Sequence, residues 1–217
     1  ISWYENNGSE VFTEHIISST VNGPFSVYAS DMDGDGNMDV IYASSLDDKI
    51  AWFKNNGNEG FTDHTIASST DGVKSVYAID VDGDGDMDVL SASYNDDKIA
   101  WYENNGSEVF TAHNISTSSN GAVSVFATDI DKDGDMDVLS ASYVDHKIAW
   151  YDNDGSEVFT EQIISTSASG AHNVYASDID GDGDIDVLSA SHWDNKIAWY
   201  ENNGSEVFTE RVISTSA

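Results

Sequence analysis

The sequence contains no cysteine, which excludes disulfides and thiolate metal sites and leaves the redox compartment unreadable. Basic residues are nearly as scarce: 8 Lys and Arg stand against 40 Asp and Glu, for a formal net charge of −32. That field repels nucleic acid and anionic membrane surfaces, and it strains a compact state unless cations neutralise part of it. Cations are therefore the expected partner, and nucleic acid is not. No apolar run approaches the roughly 18 residues of a membrane span, so no membrane insertion is expected. Helical periodicity is missing as well. No initiating methionine or signal peptide opens the chain, an absence that does not argue for the cytoplasm.

What is present is enough for a packed core: 39% of the 217 residues are hydrophobic and 11% aromatic. The motif around "WYENNGSEVFT" places Trp3, Trp52, Trp101, Trp150 and Trp199 at intervals of 49 residues, without insertion. A period of that length means a solenoid, a propeller or an array. Each period reads as four short strands. In one unit these are "SVYAID", "MDVLSAS", "KIAWYEN" and "VFTAHNIS", with an aspartate loop between the first two. Asn105-Gly106, like Asp154-Gly155, predicts a two-residue hairpin turn with both residues at positive φ. Ile99 and Trp101 alternate with Ala100 and Tyr102, so strand three should be covered on both faces. Four antiparallel strands per unit, buried on two sides, describe the blades of a β-propeller. The expected fold is all-β. The expected organisation is a half blade of strands three and four at residues 1–21, then blades at 22–70, 71–119, 120–168 and 169–217.

The aspartate loop occurs four times, as "DMDGDGNMDV", "DVDGDGDMDV", "DIDKDGDMDV" and "DIDGDGDIDV". Carboxylates at loop positions 1, 3, 5 and 9 place oxygens around one point, and the carbonyl of position 7 can add another. Hard oxygen-only coordination of this kind favours Ca²⁺, while the glycines let the loop turn sharply. The candidate ligands are Asp31, Asp33, Asp35, Asn37 and Asp39 in the first loop and Asp80, Asp82, Asp84, Asp86 and Asp88 in the second. Asp129, Asp131, Asp133, Asp135 and Asp137 follow in the third, and Asp178, Asp180, Asp182, Asp184 and Asp186 in the fourth. An EF-hand is excluded because Tyr42, Ser91, Ser140 and Ser189 stand where its position-12 glutamate belongs, and strands flank the loop.

"DVDGDGDMDVLSAS" followed by "KIAWYENNG" resembles the FG-GAP/VCBS type of repeat, similar to the blades of the integrin α-subunit head and of related bacterial secreted proteins. The resemblance covers essentially the whole chain. It implies a calcium-bearing propeller, commonly of seven blades, that works outside the cell in adhesion or carbohydrate recognition, sometimes beside polysaccharide-degrading enzymes. Lys132, where the other loops carry glycine, departs from the pattern at a position expected to face solvent. The blade number departs further, and the ring is expected to close within a longer propeller, between several chains, or with four blades and a spare hairpin.

Comparison of the units isolates two variable connections. The turn between strands two and three reads Ser45-Leu46, Tyr94-Asn95, Tyr143-Val144 and His192-Trp193; the link into strand one reads Pro24-Phe25, Val73-Lys74, Ala122-Val123 and Ala171-His172. Both lie at the end of the blade opposite the aspartate loops. Exposed aromatics on varied loops suit recognition, so Phe25, Lys74, Tyr94, Tyr143, His172, His192 and Trp193 are the candidate ligand-binding residues, for a carbohydrate or an extracellular protein. His15, His64 and His113 recur at a strand-four position that becomes Gln162 and Arg211, and read as exposed strand residues. Lys49, Lys98, Lys147 and Lys196 are expected to pair with Asp47, Asp96, Asp145 and Asp194. No carboxylate pair is unique to one blade, as an active site usually requires, so no catalysis is expected. The expectation is a non-catalytic, calcium-binding recognition or adhesion module. Its alternatives are a structural or assembly repeat and an accessory domain of a secreted enzyme.

Overall fold

The computed structural model describes residues 1–217, which form strands and turns and no helix. β1 (Ser2–Asn6) and β2 (Phe12–Ile16) make a hairpin. Four antiparallel four-stranded meanders follow. The first sheet holds β3 (Pro24–Ser30), β4 (Asp39–Ser44), β5 (Lys49–Asn55) and β6 (Phe61–Ala67). The second holds β7 (Val73–Ile79), β8 (Asp88–Ser93), β9 (Lys98–Asn104) and β10 (Phe110–Ser116). The third holds β11 (Ala122–Thr128), β12 (Asp137–Ser142), β13 (Lys147–Asn153) and β14 (Phe159–Ser165). The fourth holds β15 (Ala171–Ser177), β16 (Asp186–Ser191), β17 (Lys196–Asn202) and β18 (Phe208–Ser214).

The two apolar faces of strand three are used by different neighbours. Leu90, Ala92, Ile99 and Trp101 of the second sheet pack against Ala122, Val125, Ala127, Val138, Ala149 and Tyr151 of the third. The same interlock joins the first sheet to the second and the third to the fourth. Successive sheets therefore stack face to face through one repeated interface. Each fully buried large side chain in it contributes about 1.5–3 kcal/mol by leaving water. The first strands of the sheets, β3, β7, β11 and β15, lie side by side. Their aromatic rings form a column, Tyr28 to Tyr77 at 4.8 Å, Tyr77 to Phe126 at 5.0 Å and Phe126 to Tyr175 at 4.8 Å. Serine hydroxyls stitch the same strands together: Ser26 Oγ accepts from Val76 N–H, Ser75 Oγ from Val125 N–H and Ser124 Oγ from Val174 N–H, each at 3.3 Å.

At the two ends of the stack this interface is open. The N-terminal hairpin covers only the Tyr42, Ala51 and Phe53 part of the first sheet, so Val27 is 56% exposed where its counterpart Val76 is 4% exposed. On the fourth sheet Ile179 is exposed and Leu188, Ile197 and Trp199 are half-buried, whereas Leu90, Ile99 and Trp101 are fully buried.

The connection between strands three and four differs from the two-residue turn expected at Asn105-Gly106. Residues 105–109 form a longer loop, closed by Asn105 N–H donating to the Val109 carbonyl at 3.2 Å. Gly106 and Glu108, at φ 72° and 60°, take the left-handed conformation, and Asn105 does not. Asn105 instead uses its side-chain oxygen to accept from Ser107 N–H, an Asx turn that widens the connection.

Candidate functional site

Each aspartate loop joins strand one to strand two, and its position-9 aspartate begins strand two. Asp39, Asp88, Asp137 and Asp186 are buried, 0–1% exposed. Each uses both oxygens on backbone N–H groups. Asp88 accepts from Val81 at 3.0 Å and from Asn104 at 2.7 Å, and Asp137 accepts from Ile130 and Asn153, both at 2.9 Å. The loop is thereby pinned across the sheet to strand three. Asn104 and Asn153 complete the link by donating side-chain N–H to the carbonyls of Met87 and Met136. These asparagines were not among the residues expected from sequence, though their recurrence at one point of every "WYEN"-type segment was the available signal.

Positions 1, 3 and 9 converge. In Asp31/Asp33/Asp39, Asp80/Asp82/Asp88, Asp129/Asp131/Asp137 and Asp178/Asp180/Asp186, one oxygen from each residue lies within 4.8 Å of the other two. Position 5 turns back on its own loop: Asp35, Asp84, Asp133 and Asp182 accept from the N–H of position 7 at 2.8–2.9 Å. Position 7 points across to the strand three–four loop, with Asp86 against Gly106, Asp135 against Gly155, Asp184 against Gly204 and Asn37 against Gly57. Its side chain is thus held away from the convergent set.

The electrostatics of the loops are compatible with a bound cation. Burial pushes the Asp88 carboxyl up to about 6 and that of Asp137 to about 7, despite the backbone N–H groups that oppose the shift. Asp39 is raised for the same reason, and Asp82, Asp131 and Asp180 are raised by burial and by neighbouring carboxylates. Asp129 Oδ1 is buried without any hydrogen-bond partner. An oxygen-rich, charge-crowded set with an orphaned buried oxygen fits a hard divalent cation. Where a basic side chain is within reach, it is drawn in. Lys54 Nζ touches Asp33, and Lys132 Nζ lies 2.5 Å from Asp184 of the next sheet's loop. Lys132 itself adopts φ 67° in the place of a glycine.

At the opposite end, the varied connections meet. Phe25, Lys74, Tyr94, Tyr143, His172 and His192 line one cup of about 220 Å³ together with Val123. Lys74 Nζ sits 4.2 Å from the Phe25 ring centroid. Tyr143 is 6.4 Å from Tyr94, and 6.2 Å from both His172 and His192. Trp193 is outside the cup lining, 53% exposed, with its ring edge-on to Tyr143 at 4.9 Å.

Two expectations are corrected. His15, His64 and His113 are not simply exposed: their rings lie 4.3, 5.1 and 4.6 Å from Trp3, Trp52 and Trp101 and are half-buried. Lys98, Lys147 and Lys196 do reach Asp96, Asp145 and Asp194, at 3.5–3.6 Å, but Lys49 pairs instead with Asp63 at 2.7 Å. Asp47 is engaged by Ser44 Oγ and Asn22 N–H, which hold its carboxyl below the usual range. Lys147 and Lys196 also bond more closely to Glu161 and Glu210, both at 2.7 Å, because strand four lies alongside.

The family model for FG-GAP-like repeats matches residues 1–42, 31–91, 80–140, 129–189 and 178–217, the whole chain in overlapping copies. The chain belongs to the FG-GAP-like repeat family. No curated protein matches this FG-GAP-like chain in sequence. Among solved structures it is similar to the V. cholerae biofilm matrix protein Bap1, at 20% identity and a TM-score of 0.57 over 87% of this chain. It is also similar to a protein from Lactobacillus plantarum, at 15% identity and a TM-score of 0.65 over 95%. A third neighbour is an Aleuria aurantia lectin in complex with α-methyl-L-fucoside, at 14% identity and a TM-score of 0.60 over 100%. The chain spans 28%, 60% and 71% of those three chains respectively. At these identities the likeness is one of fold.

Proposed function

We propose that this FG-GAP-like chain is a non-catalytic, calcium-binding β-propeller module that recognises carbohydrate outside the cell. The observation that carries the reading is the aromatic cup, where residues from connections of all four sheets converge at the end away from the aspartate loops. Aromatic rings stack on sugar faces and apolar partner surfaces, and rigid rings give contact area at low entropic cost. Lys74, His172 and His192 add hydrogen-bonding groups at the rim. Ca²⁺ held by positions 1, 3 and 9 of each loop, with position 7 contributing its carbonyl, neutralises the opposite end and braces strands one and two. The units are blades at 22–70, 71–119, 120–168 and 169–217, with 1–21 as a half blade. Two fold neighbours, a biofilm matrix protein and a fucoside-bound lectin, support an adhesive or sugar-binding role.

The test replaces Tyr94, Tyr143 and Trp193 together with alanine, confirms the fold by melting with calcium, and measures binding to the best hit of a glycan and matrix-protein screen. Loss of binding is expected, since a hot-spot aromatic contributes at least about 2 kcal/mol. Undiminished binding refutes the assignment of the cup. A second reading, assembly through the end faces, is favoured by the exposed Val27 and Ile179 and the half-buried Trp199. In solution it predicts concentration-dependent mass by light scattering, and a monodisperse monomer refutes it.

A further inference from the structure

We infer that Glu103, His113 and Glu157 form a second class of metal site, for a transition-metal dication of the zinc type. This goes beyond the recognition role; the site borders the aspartate loops, with Glu103 close enough to Asp82 for their charges to interact, but it shares no ligand with them.

The site lies on the outer edge of the stack and spans two sheets. His113 on β10 is the cross-strand partner of Trp101, and Glu103 on β9 pairs with Thr111, so His113 and Glu103 are diagonal neighbours. His113 Nε2 is 2.8 Å from Glu103 Oε2. Glu157 comes from the strand three–four loop of the third sheet, held at φ 62°. One ligand atom from each of the three lies within 4.8 Å of the other two. The imidazole is oriented by stacking on Trp101, 4.6 Å away at an interplanar angle of 26°. At the corresponding residues two units earlier His15 stacks on Trp3 at 4.3 Å and 14°, but Glu5 lies 3.3 Å from Nε2 and Glu59 3.6 Å from Nδ1, so the two carboxylates face different ring nitrogens and do not converge.

The intervening units support a cation at this point. Between the first and second sheets Lys54 stands where Glu103 does, and its ammonium lies 2.5 Å from Glu108, the counterpart of Glu157. In the fourth sheet Arg211 stands at the histidine position, with Nη2 2.6 Å from Glu201. Each of these substitutions brings a fixed positive charge into the cluster. The triad of Glu103, His113 and Glu157 leaves that charge to come from outside. At the remaining junction Gln162 removes the imidazole, leaving Asp152 and Glu206 without a nitrogen ligand. One imidazole and two carboxylates, with room for water as the fourth ligand, suit Zn²⁺ and its first-row neighbours. Ca²⁺ requires six to eight oxygens. The two kinds of site therefore select different ions on one protein.

The experiment titrates the full chain, kept in excess calcium to saturate the aspartate loops, with Zn²⁺ by calorimetry and with Co²⁺ by visible absorption. One histidine-dependent equivalent is expected. His113→Gln should remove it and His15→Gln should leave it in place. Glutamine already occupies this strand position as Gln162, so these variants are expected to keep the wild-type melting temperature in calcium. Glu157→Gln, an exposed loop change that spares the His113–Glu103 pair, should weaken the site by at least about tenfold. Zinc stoichiometry unchanged in His113→Gln, or no zinc uptake above the calcium-saturated protein, overturns the inference.

Discussion

Position 9 of the aspartate loop is pinned by two buried backbone N–H groups where position 3 accepts a single exposed one, and a pair of alanine substitutions separates this anchoring from the proposed metal binding. Asp137→Ala removes the acceptors of the Ile130 and Asn153 N–H groups, both bonded at 2.9 Å to a side chain that is fully buried. Each buried N–H left unpartnered costs about 1–3 kcal/mol, so the variant should lose about 2–6 kcal/mol with or without metal. Asp131→Ala loses one hydrogen bond, from Asp133 N–H at 3.1 Å. In metal-free protein it also relieves repulsion from Asp129 and Asp133, which help to raise its pKa. Its metal-free stability should stay within about 1 kcal/mol of the parent. With calcium, both variants additionally lose the binding term, about 2.7 kcal/mol for a site at a hundredfold excess over Kd. Thermal melts with calcium and after verified metal removal give the four values needed. At about 2–4 °C per kcal/mol for a chain of this size, the metal-free gap between the variants should be at least a few degrees. Equal melting temperatures for the two variants without metal, or a metal-free penalty for Asp131→Ala as large as its penalty in calcium, would refute the division of roles.

Three further outcomes are expected. In metal-free protein, Asp88 and Asp137 hold protons up to about pH 6 and 7 while the unfolded chain releases them near 3.9, so stability should fall as pH rises through that window; saturating calcium, which binds the ionised form, should flatten or reverse the slope, and a metal-free melting temperature that climbs from pH 5 to 7 contradicts this. Leu139→Ala, at a fully buried position of the third–fourth sheet interface, should cost about 2–5 kcal/mol by urea denaturation, and a loss below 1 kcal/mol would mean that the interface collapses around the gap. Gly83→Ala should be mild, because nothing lies within 4 Å of the added carbon and Lys132 holds the same left-handed position in another loop, whereas Gly106→Ala should be markedly worse because the new carbon meets the Asp86 carboxylate; comparable urea midpoints for the two would be inconsistent with that contact.

The strand content was legible because strands of five to seven residues carry their own alternation, and "KIAWY" announced two covered faces. Which face meets which neighbour was not: that Trp101 belongs with Tyr151 of the next sheet depends on the stacking direction. The asparagine-glycine loop misled because Asn105 satisfies Ser107 N–H through its side chain, a choice the dipeptide does not reveal. Register shifts at Val73/Ser75 and its counterparts were also silent, since the extra residue changes no residue type. In the aspartate loops the spacing of the carboxylates was plain. It did not distinguish position 9, anchored by two N–H groups, from position 5, which serves its own turn. The histidine cluster was illegible for a simpler reason. Glu157 reaches His113 from 44 positions away in another sheet, and single strands read alone show only an exposed imidazole.

The identity of the three sheet-to-sheet interfaces has a genetic consequence. Excising residues 71–119 would bring the Trp52 face against the Tyr151 face, put Ser26 opposite Val125, and set Lys54 near Glu157, each a pairing of the kind already in use. Duplication of the same segment would be equally silent at its seams. Unequal recombination between such repeats can therefore lengthen or shorten the gene by whole units while leaving seams of a kind the chain already uses, and copy number becomes as available to variation as a point mutation.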